Sequence, residues 1–345
     1  MVEKSRKGGD GCLRLFIISI LTVIIFGILE VTTHMSFLFA IVLAIIISVG
    51  ITSLILGRPS GKTMFRNSII TVLFFICIYT VGNFLLKFLV PLNHETPTFT
   101  TEDVITETSI VENNDTIAVY SNNRTWRDNY GNNYSGELSV RTQDFLRLQN
   151  HIASYVPPSS ANFWGNLYDY IDRKDTPSLD LVAKTFQNIN TKSKLNQMEF
   201  AEMVVSCIQD IPYSFVFQEE CLPAHYYEDS IKDILEECPD CCIGNIMYGI
   251  QNPVSFIQNL KGDCDTRTVI IYSILKDFGY DVAILNSEFY RHSILGINLP
   301  ASGLHKIYNG KKYVLWETTA KHFEVGYLSP NFNDVSHWNV VLTSK

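Results

Sequence analysis

The sequence predicts an α+β protein preceded by three N-terminal transmembrane helices. Three observations lead there. The apolar excess is concentrated before residue 91, in three long runs. The middle of the chain repeats its apolar residues at helical spacing. After Gly279 the pattern changes to short alternating segments separated by turn signals. At 345 residues the chain has room for roughly two domains. The expected division is a membrane anchor over 1–91, a linker over 92–122 and a folded domain over 123–345, with its core at 195–325. A formal charge of -8 argues against nucleic acid, which calls for a basic face.

The runs are Leu15–Leu29, Met35–Leu56 and Ser68–Val90. A hydrocarbon core of about 30 Å takes roughly 20 helical residues, which the second and third runs meet and the first meets if it continues to Thr33. A signal peptide is the alternative for the first run alone. Lys4, Arg6, Lys7 and Arg14 precede the first run, and Arg58, Lys62 and Arg66 lie between the second and third. By the positive-inside rule these segments are expected in the cytoplasm and everything after Pro91 on the other side of the lipid bilayer. The expected localisation is therefore integral membrane with an extracytoplasmic C-terminal domain.

Residues 92–122, rich in Thr, Asn, Glu and Asp, read as a spacer with one strand at Thr116–Tyr120. Thr125–Val140 alternates around Tyr130-Gly131-Asn132, a hairpin pattern. Helical patterns follow over about 142–155, 162–172 and 178–189. A better-defined helix spans about 197–210: Asn196 and Glu199 form a capping-box signature, and Phe200, Met203, Val204, Cys207, Ile208 and Ile211 form its apolar stripe. Cys207 lies in that stripe and reads as a core thiol. Pro253 opens a short helix that Gly262 is expected to close. Ile270, Ile271, Ile274, Leu275 and Phe278 then mark a helix stopped by Gly279, with Cys264 in its first turn. Beyond it, Val282–Leu285, Ser293–Leu299, His305–Tyr308, Lys311–Glu317 and Trp338–Leu342 read as strands. Asn309-Gly310 is a strong two-residue hairpin signal.

A cysteine at a helix start is a chemical opportunity. Unpaired N–H groups and the helix dipole favour a thiolate there, and the same N–H groups can hold an oxyanion. A histidine can carry the proton and a carboxylate can orient the imidazole. His292 opens one expected strand and Glu317 ends another, compatible with neighbouring strands of one sheet facing the helix. Against this, a lone cysteine at a helix start is more often structural, and a histidine or glutamate on a strand is more often polar surface. His305 and His322 are rival partners for the thiol, ranked below His292.

The residues also resemble a family. Lys261-Gly262-Asp263-Cys264-Asp265-Thr266-Arg267, with Leu275 and Phe278-Gly279-Tyr280, resembles the cysteine helix of transglutaminase-like domains. His292 with Leu295-Gly296 resembles that family's histidine strand, and Tyr313-Val314-Leu315-Trp316-Glu317-Thr318-Thr319 its third strand. Cys207-Ile208-Gln209-Asp210-Ile211-Pro212-Tyr213 resembles the helix it places upstream. The resemblance covers 195–325. It implies a papain-like fold and a Cys264–His292–Glu317 triad working through a thioester on peptide or protein amide bonds, with no cofactor and no metal. Gln209 and Tyr213 become candidates for lining the site or its oxyanion pocket. Two residues depart from the pattern: the acid is glutamate where aspartate is commoner, and Ser293-Ile294 follows the histidine where an aromatic is frequent.

Cys221, Cys238, Cys241 and Cys242 cluster in a segment that reads as an insertion. Disulfides are the leading expectation, with a zinc site from Cys238-Pro-Asp-Cys-Cys and either Cys221 or His225, or a Cys238/Cys241 redox pair, as alternatives. The leading function is an extracytoplasmic thiol hydrolase or acyltransferase. A catalytically inactive binding module and a membrane assembly factor are the alternatives.

Overall fold

The computed structural model describes residues 14, 16–26, 37–57, 99–100, 103–159 and 161–345, with backbone alone for 37–42. The chain forms two compact units, Met1–Glu95 and Thr96–Lys345.

In the first unit, residues 16–26 are helical and α1 spans Phe37–Leu56. The expectation of three transmembrane helices, and the integral-membrane, extracytoplasmic placement built on it, is corrected here: among the described residues no helix is long and apolar enough to cross a membrane. The second run carries buried hydroxyls at Ser48 and Thr52. Ser48 and Thr52 donate back to the carbonyls of Ala44 and Ser48. Arg14, one of the charges that set the expected orientation, donates to the carbonyls of Leu56 and Gly57 at the end of α1, where a cation complements unpaired carbonyls. The third run, Ser68–Val90, lies outside the described residues.

The second unit opens with an antiparallel sheet of β1 (Thr106–Glu112), β2 (Asp115–Arg127) and β3 (Asn133–Arg141), in that order. Part of the stretch read as spacer is therefore sheet. Asn113 and Asn114 make the β1–β2 turn, both with positive φ, as a type I′ hairpin requires. Helices α2 (Thr142–Leu148), α3 (Phe163–Asp175), α4 (Asp180–Ser193) and α5 (Gln197–Gln209) follow. The capping box at Asn196/Glu199 is present, with bonds in both directions. The inserted segment holds β4 (Phe215–Val216), α6 (Asp229–Glu237) and β5 (Cys242–Ile243), the two strands pairing in parallel. Helix α7 covers Pro253–Asn259 and α8 covers Cys264–Asp277.

The last strands are β6 (Val282–Ser287), β7 (His292–Ile297), β8 (His305–Tyr308), β9 (Lys311–Trp316) and β10 (Asn339–Thr343). They form one sheet, β10-β6-β7-β9-β8, antiparallel throughout. Asn309 and Gly310 both take positive φ in the β8–β9 turn, again as a type I′ hairpin requires.

Alternation gives this sheet two buried faces. Val282, Ile284, Leu295, Ile297 and Trp316 join the main core, in which Val269, Ile270, Ile271 and Leu275 of α8 are also fully buried. Ala283, Leu285, Ile294, Tyr313 and Leu315 join a second cluster with Leu328 and Trp338. Helix α8 is buried along most of its length, apolar in its body and polar in its first turn, where Thr266, Arg267 and Thr268 are buried as well. Its first turn emerges from this core, and there the unusual chemistry collects.

Candidate active site

Cys264 stands where α7 turns into α8. Leu260, not Gly262, is the left-handed residue that ends α7, with φ of 57°. Gly262 is needed for space: a Cβ there would lie 2.7 Å from Cδ2 of Phe256 and 2.8 Å from Cγ2 of Thr266. Asp263 is the N-cap of α8 and accepts from the Thr266 N–H at 3.0 Å. Arg267 is fully buried beneath the turn. Its guanidinium donates to the carbonyls of Gly262, Ile208, Ile211 and Pro212, so it fastens the cysteine turn to the end of α5. It also lies 5.6 Å from the ring centroid of Tyr213.

His292 is the first residue of β7, and Glu317 directly follows β9. Nε2 of His292 lies 2.9 and 3.1 Å from the two carboxylate oxygens of Glu317. The Cys264 thiol and the same imidazole lie close enough for each to shift the other's proton equilibrium. With Nε2 taken by the carboxylate, Nδ1 is left to exchange a proton with sulfur. Oε1 of Glu317 also accepts from the N–H groups of Thr318 and Thr319 and from the Thr319 hydroxyl, at 2.9, 3.0 and 2.7 Å. By alternation His292 belongs with Ile294 to the second cluster, so it reaches Cys264 at the strand end rather than from the face beneath α8. Thr268, one turn after the cysteine, ties the three elements together. Its hydroxyl meets the Thr318 hydroxyl at 2.9 Å and the Ser293 carbonyl at 3.4 Å.

The charges follow from this packing. Burial pushes the Glu317 carboxyl up, but the adjacent imidazolium and the Thr319 donors outweigh it and hold the group at about 2. Burial works against the His292 cation, and the Glu317 carboxylate overcomes it, so the imidazole titrates well above its usual range. Burial raises the Cys264 thiol, Asp265 raises it further, and His292 pulls it down, with a net upward direction. This reverses the thiolate-favouring effect expected from a helix start alone. The side chain is 9% exposed, and its flanking acids oppose the dipole. Asp263 is itself pushed up to about 8, first by burial and then by Asp265. Asp265 accepts from the Tyr168 hydroxyl at 2.7 Å.

His305 and His322, the rival partners, are exposed, and neither bonds Cys264; His305 Nδ1 faces the Gly303 carbonyl at 3.0 Å. Gln209 Nε2 donates to the carbonyls of Glu317 and Phe323 at 2.7 and 3.1 Å, so it braces the acid's peptide rather than offering a free donor. Tyr213 is half-buried. Burial and the Cys264 charge raise its phenol. The patterns used for the sequence did not single out Thr268 or the aromatic rings on His292. Phe332 and Trp338 have centroids 5.1 and 5.9 Å from the imidazole, and both follow Glu317 in a stretch with no catalytic spacing to mark them.

Among the described residues, the donor atoms of Asp263, Cys264 and Asp265 lie within 4.8 Å of one another, a spacing a metal ion could use. One oxygen of each acid is already committed, to Thr266 and to Tyr168. The clustered cysteines form the disulfides Cys221–Cys242 and Cys238–Cys241, which removes the thiolates that zinc would need. Cys207 and Cys264 are free, and burial raises Cys207 to about 12. A cavity of about 580 Å³ lies elsewhere, lined by amides such as Gln218, Asn245 and Gln251, and contains no member of the triad. No family model, curated protein or solved structure matches the chain.

Proposed function

We propose that the chain is a thiol acyl-transfer enzyme acting on peptide or protein amide bonds, with Cys264 as nucleophile, His292 as proton carrier and Glu317 as orienting acid. The resemblance to transglutaminase-like domains supports the same reading. The observation that carries it is the His292–Glu317 pair, at 2.9 Å, placed where its imidazole lowers the Cys264 thiol against burial. Such an arrangement generates a nucleophile on demand.

In this reading the reactive form of the pair holds one proton between sulfur and imidazole, and the imidazole carries it as sulfur attacks the amide carbonyl. Glu317 stabilises the imidazolium that results. Negative charge develops on the carbonyl oxygen, where the first-turn N–H of Cys264 is the donor at hand, that of Thr266 being occupied by Asp263. The C–N bond then breaks, the imidazolium protonates the departing amine, and a Cys264 thioester remains. Water or an amine attacks the thioester, its proton passing to His292 and the thiol being restored. Water is the default acceptor where a site does not exclude it, so hydrolysis is favoured.

The experiment is turnover of a peptide-amide panel by the full chain and its variants, with folding checked by circular dichroism. Cys264→Ala should leave no turnover, and His292→Ala should lose a factor of roughly 10³ or more. Turnover retained by folded Cys264→Ala would sink the mechanism. A folded wild type inert on every amide, with Cys264 unreactive to thiol probes, would favour the binding module instead.

A further inference from the structure

We propose that Phe289, Tyr290 and Phe332 form an aromatic shelf that receives the leaving-group side of the substrate. The preferred substrates then carry an aromatic or other flat apolar group next to the scissile nitrogen. This rests on the acyl-transfer reading of Cys264, His292 and Glu317.

Phe289 lies in the turn between β6 and β7 and is 69% exposed, a large apolar surface presented close to the site. It is held in place rather than loose: its ring stacks on His337 with centroids 4.1 Å apart and planes within 11°. Tyr290 meets Phe289 edge-on at 5.0 Å and Phe332 edge-on at 5.5 Å. Phe332 in turn lies 5.1 Å from the His292 ring. A run of rings therefore leads from an exposed phenylalanine to the imidazole. Such packed aromatic geometry favours binding another ring by stacking or edge contact.

The chemistry of the triad orients the shelf. His292 must protonate the leaving nitrogen, so that nitrogen sits over the imidazole when the C–N bond breaks. Groups attached to it extend past the imidazole onto the rings beside it. The acyl part stays with sulfur at the start of α8. The shelf lies next to the histidine, so it reads the amine side of the bond.

Chloroacetamides test this in the full chain, because their amide nitrogen carries the variable group as the leaving amine does. The Cys264 sulfur bonds the methylene carbon, chloride departs with the C–Cl electron pair, and the thiol proton passes to His292. The rate of Cys264 alkylation is followed by peptide mass for N-benzyl and N-methyl chloroacetamide, each divided by its rate with glutathione. Iodoacetamide reports the thiol itself. The benzyl-to-methyl ratio should exceed one by roughly three- to tenfold, the scale of a good aromatic contact. It should collapse toward one in Phe289→Ala and return in Phe289→Tyr. A wild-type ratio near one, or one that Phe289→Ala leaves in place, overturns the shelf while the triad stands. Failure of iodoacetamide to label Cys264 in folded protein overturns the triad reading, and the shelf with it.

Discussion

At the scale of single residues, the site places an acid on each side of its nucleophile. Burial and Asp265 hold the thiol proton on, and His292 must take it off. Removing the Asp265 charge stabilises the thiolate, so Asp265→Asn should move the acid limb of Cys264 alkylation to lower pH; an unmoved limb would remove Asp265 from the account. Glu317→Gln should cut turnover by roughly 10² to 10⁴, less than loss of the nucleophile, because an orienting carboxylate sets the imidazole's tautomer and steadies its cation. It should also lower the pH at which His292 titrates, which NMR of the ring protons can follow. Glu317 further links the site to stability. Its folded pKa of about 2 lies below an unfolded carboxyl near 4.3, so its contribution is present above about pH 5 and lost as pH falls toward 2. The scale is on the order of 3 kcal/mol. Urea unfolding at pH 7 and pH 3 should show a smaller difference for Glu317→Gln than for wild type.

At the scale of elements, the proposed triad depends on joints more than on strands. Arg267 is the main one, since a single guanidinium satisfies carbonyls of the α5 end and the cysteine turn together. Arg267→Ala should cost about 3–5 kcal/mol by leaving buried carbonyls unpaired, and Arg267→Lys should rescue little because an ammonium lacks the planar fork. Chemical denaturation measures both; near-wild-type stability in either would remove the joint. Gly262→Ala should cost about 1–3 kcal/mol by pressing a methyl onto Phe256 and Thr266. The sequence made much of this level legible. The capping box of α5, the apolar stripe of α8 and the Asn309-Gly310 hairpin each follow from local rules, and each is present. Cys264, His292 and Glu317 were legible because order and position agree. Thr268 and Arg267 as couplers were not, since their partners are backbone groups brought near only by folding. Phe332 and Trp338 reach His292 across a loop that carries no periodic pattern. The β1–β2 hairpin was missed although Asn113-Asn114 is a turn signal, because the surrounding residues are polar and mostly exposed.

At the scale of the whole molecule, ion pairs tie distant parts of the second unit, Thr96–Lys345, together. Arg124 of β2 bridges Asp103 and Asp210 at 2.6 and 2.9 Å, and Lys321, close after Glu317, joins Asp210 at 2.6 Å. The two disulfides close the inserted segment upon itself. Non-reducing peptide maps should show Cys221 joined to Cys242 and Cys238 to Cys241, and replacing the first pair by serine should cost about 3 kcal/mol. Among the described residues, the apolar N-terminal runs form no helix long and apolar enough to cross a membrane. What the molecule is for turns on whether Cys264 forms an acyl bond with help from His292. The most direct measurement is the intact and peptide mass of the full chain after brief exposure to p-nitrophenyl acetate. The account predicts one acetyl group on Cys264, absent in Cys264→Ala, strongly slowed in His292→Ala and lost again as the thioester hydrolyses. An unmodified Cys264 in folded wild type, or equal acetylation with and without His292, would contradict it.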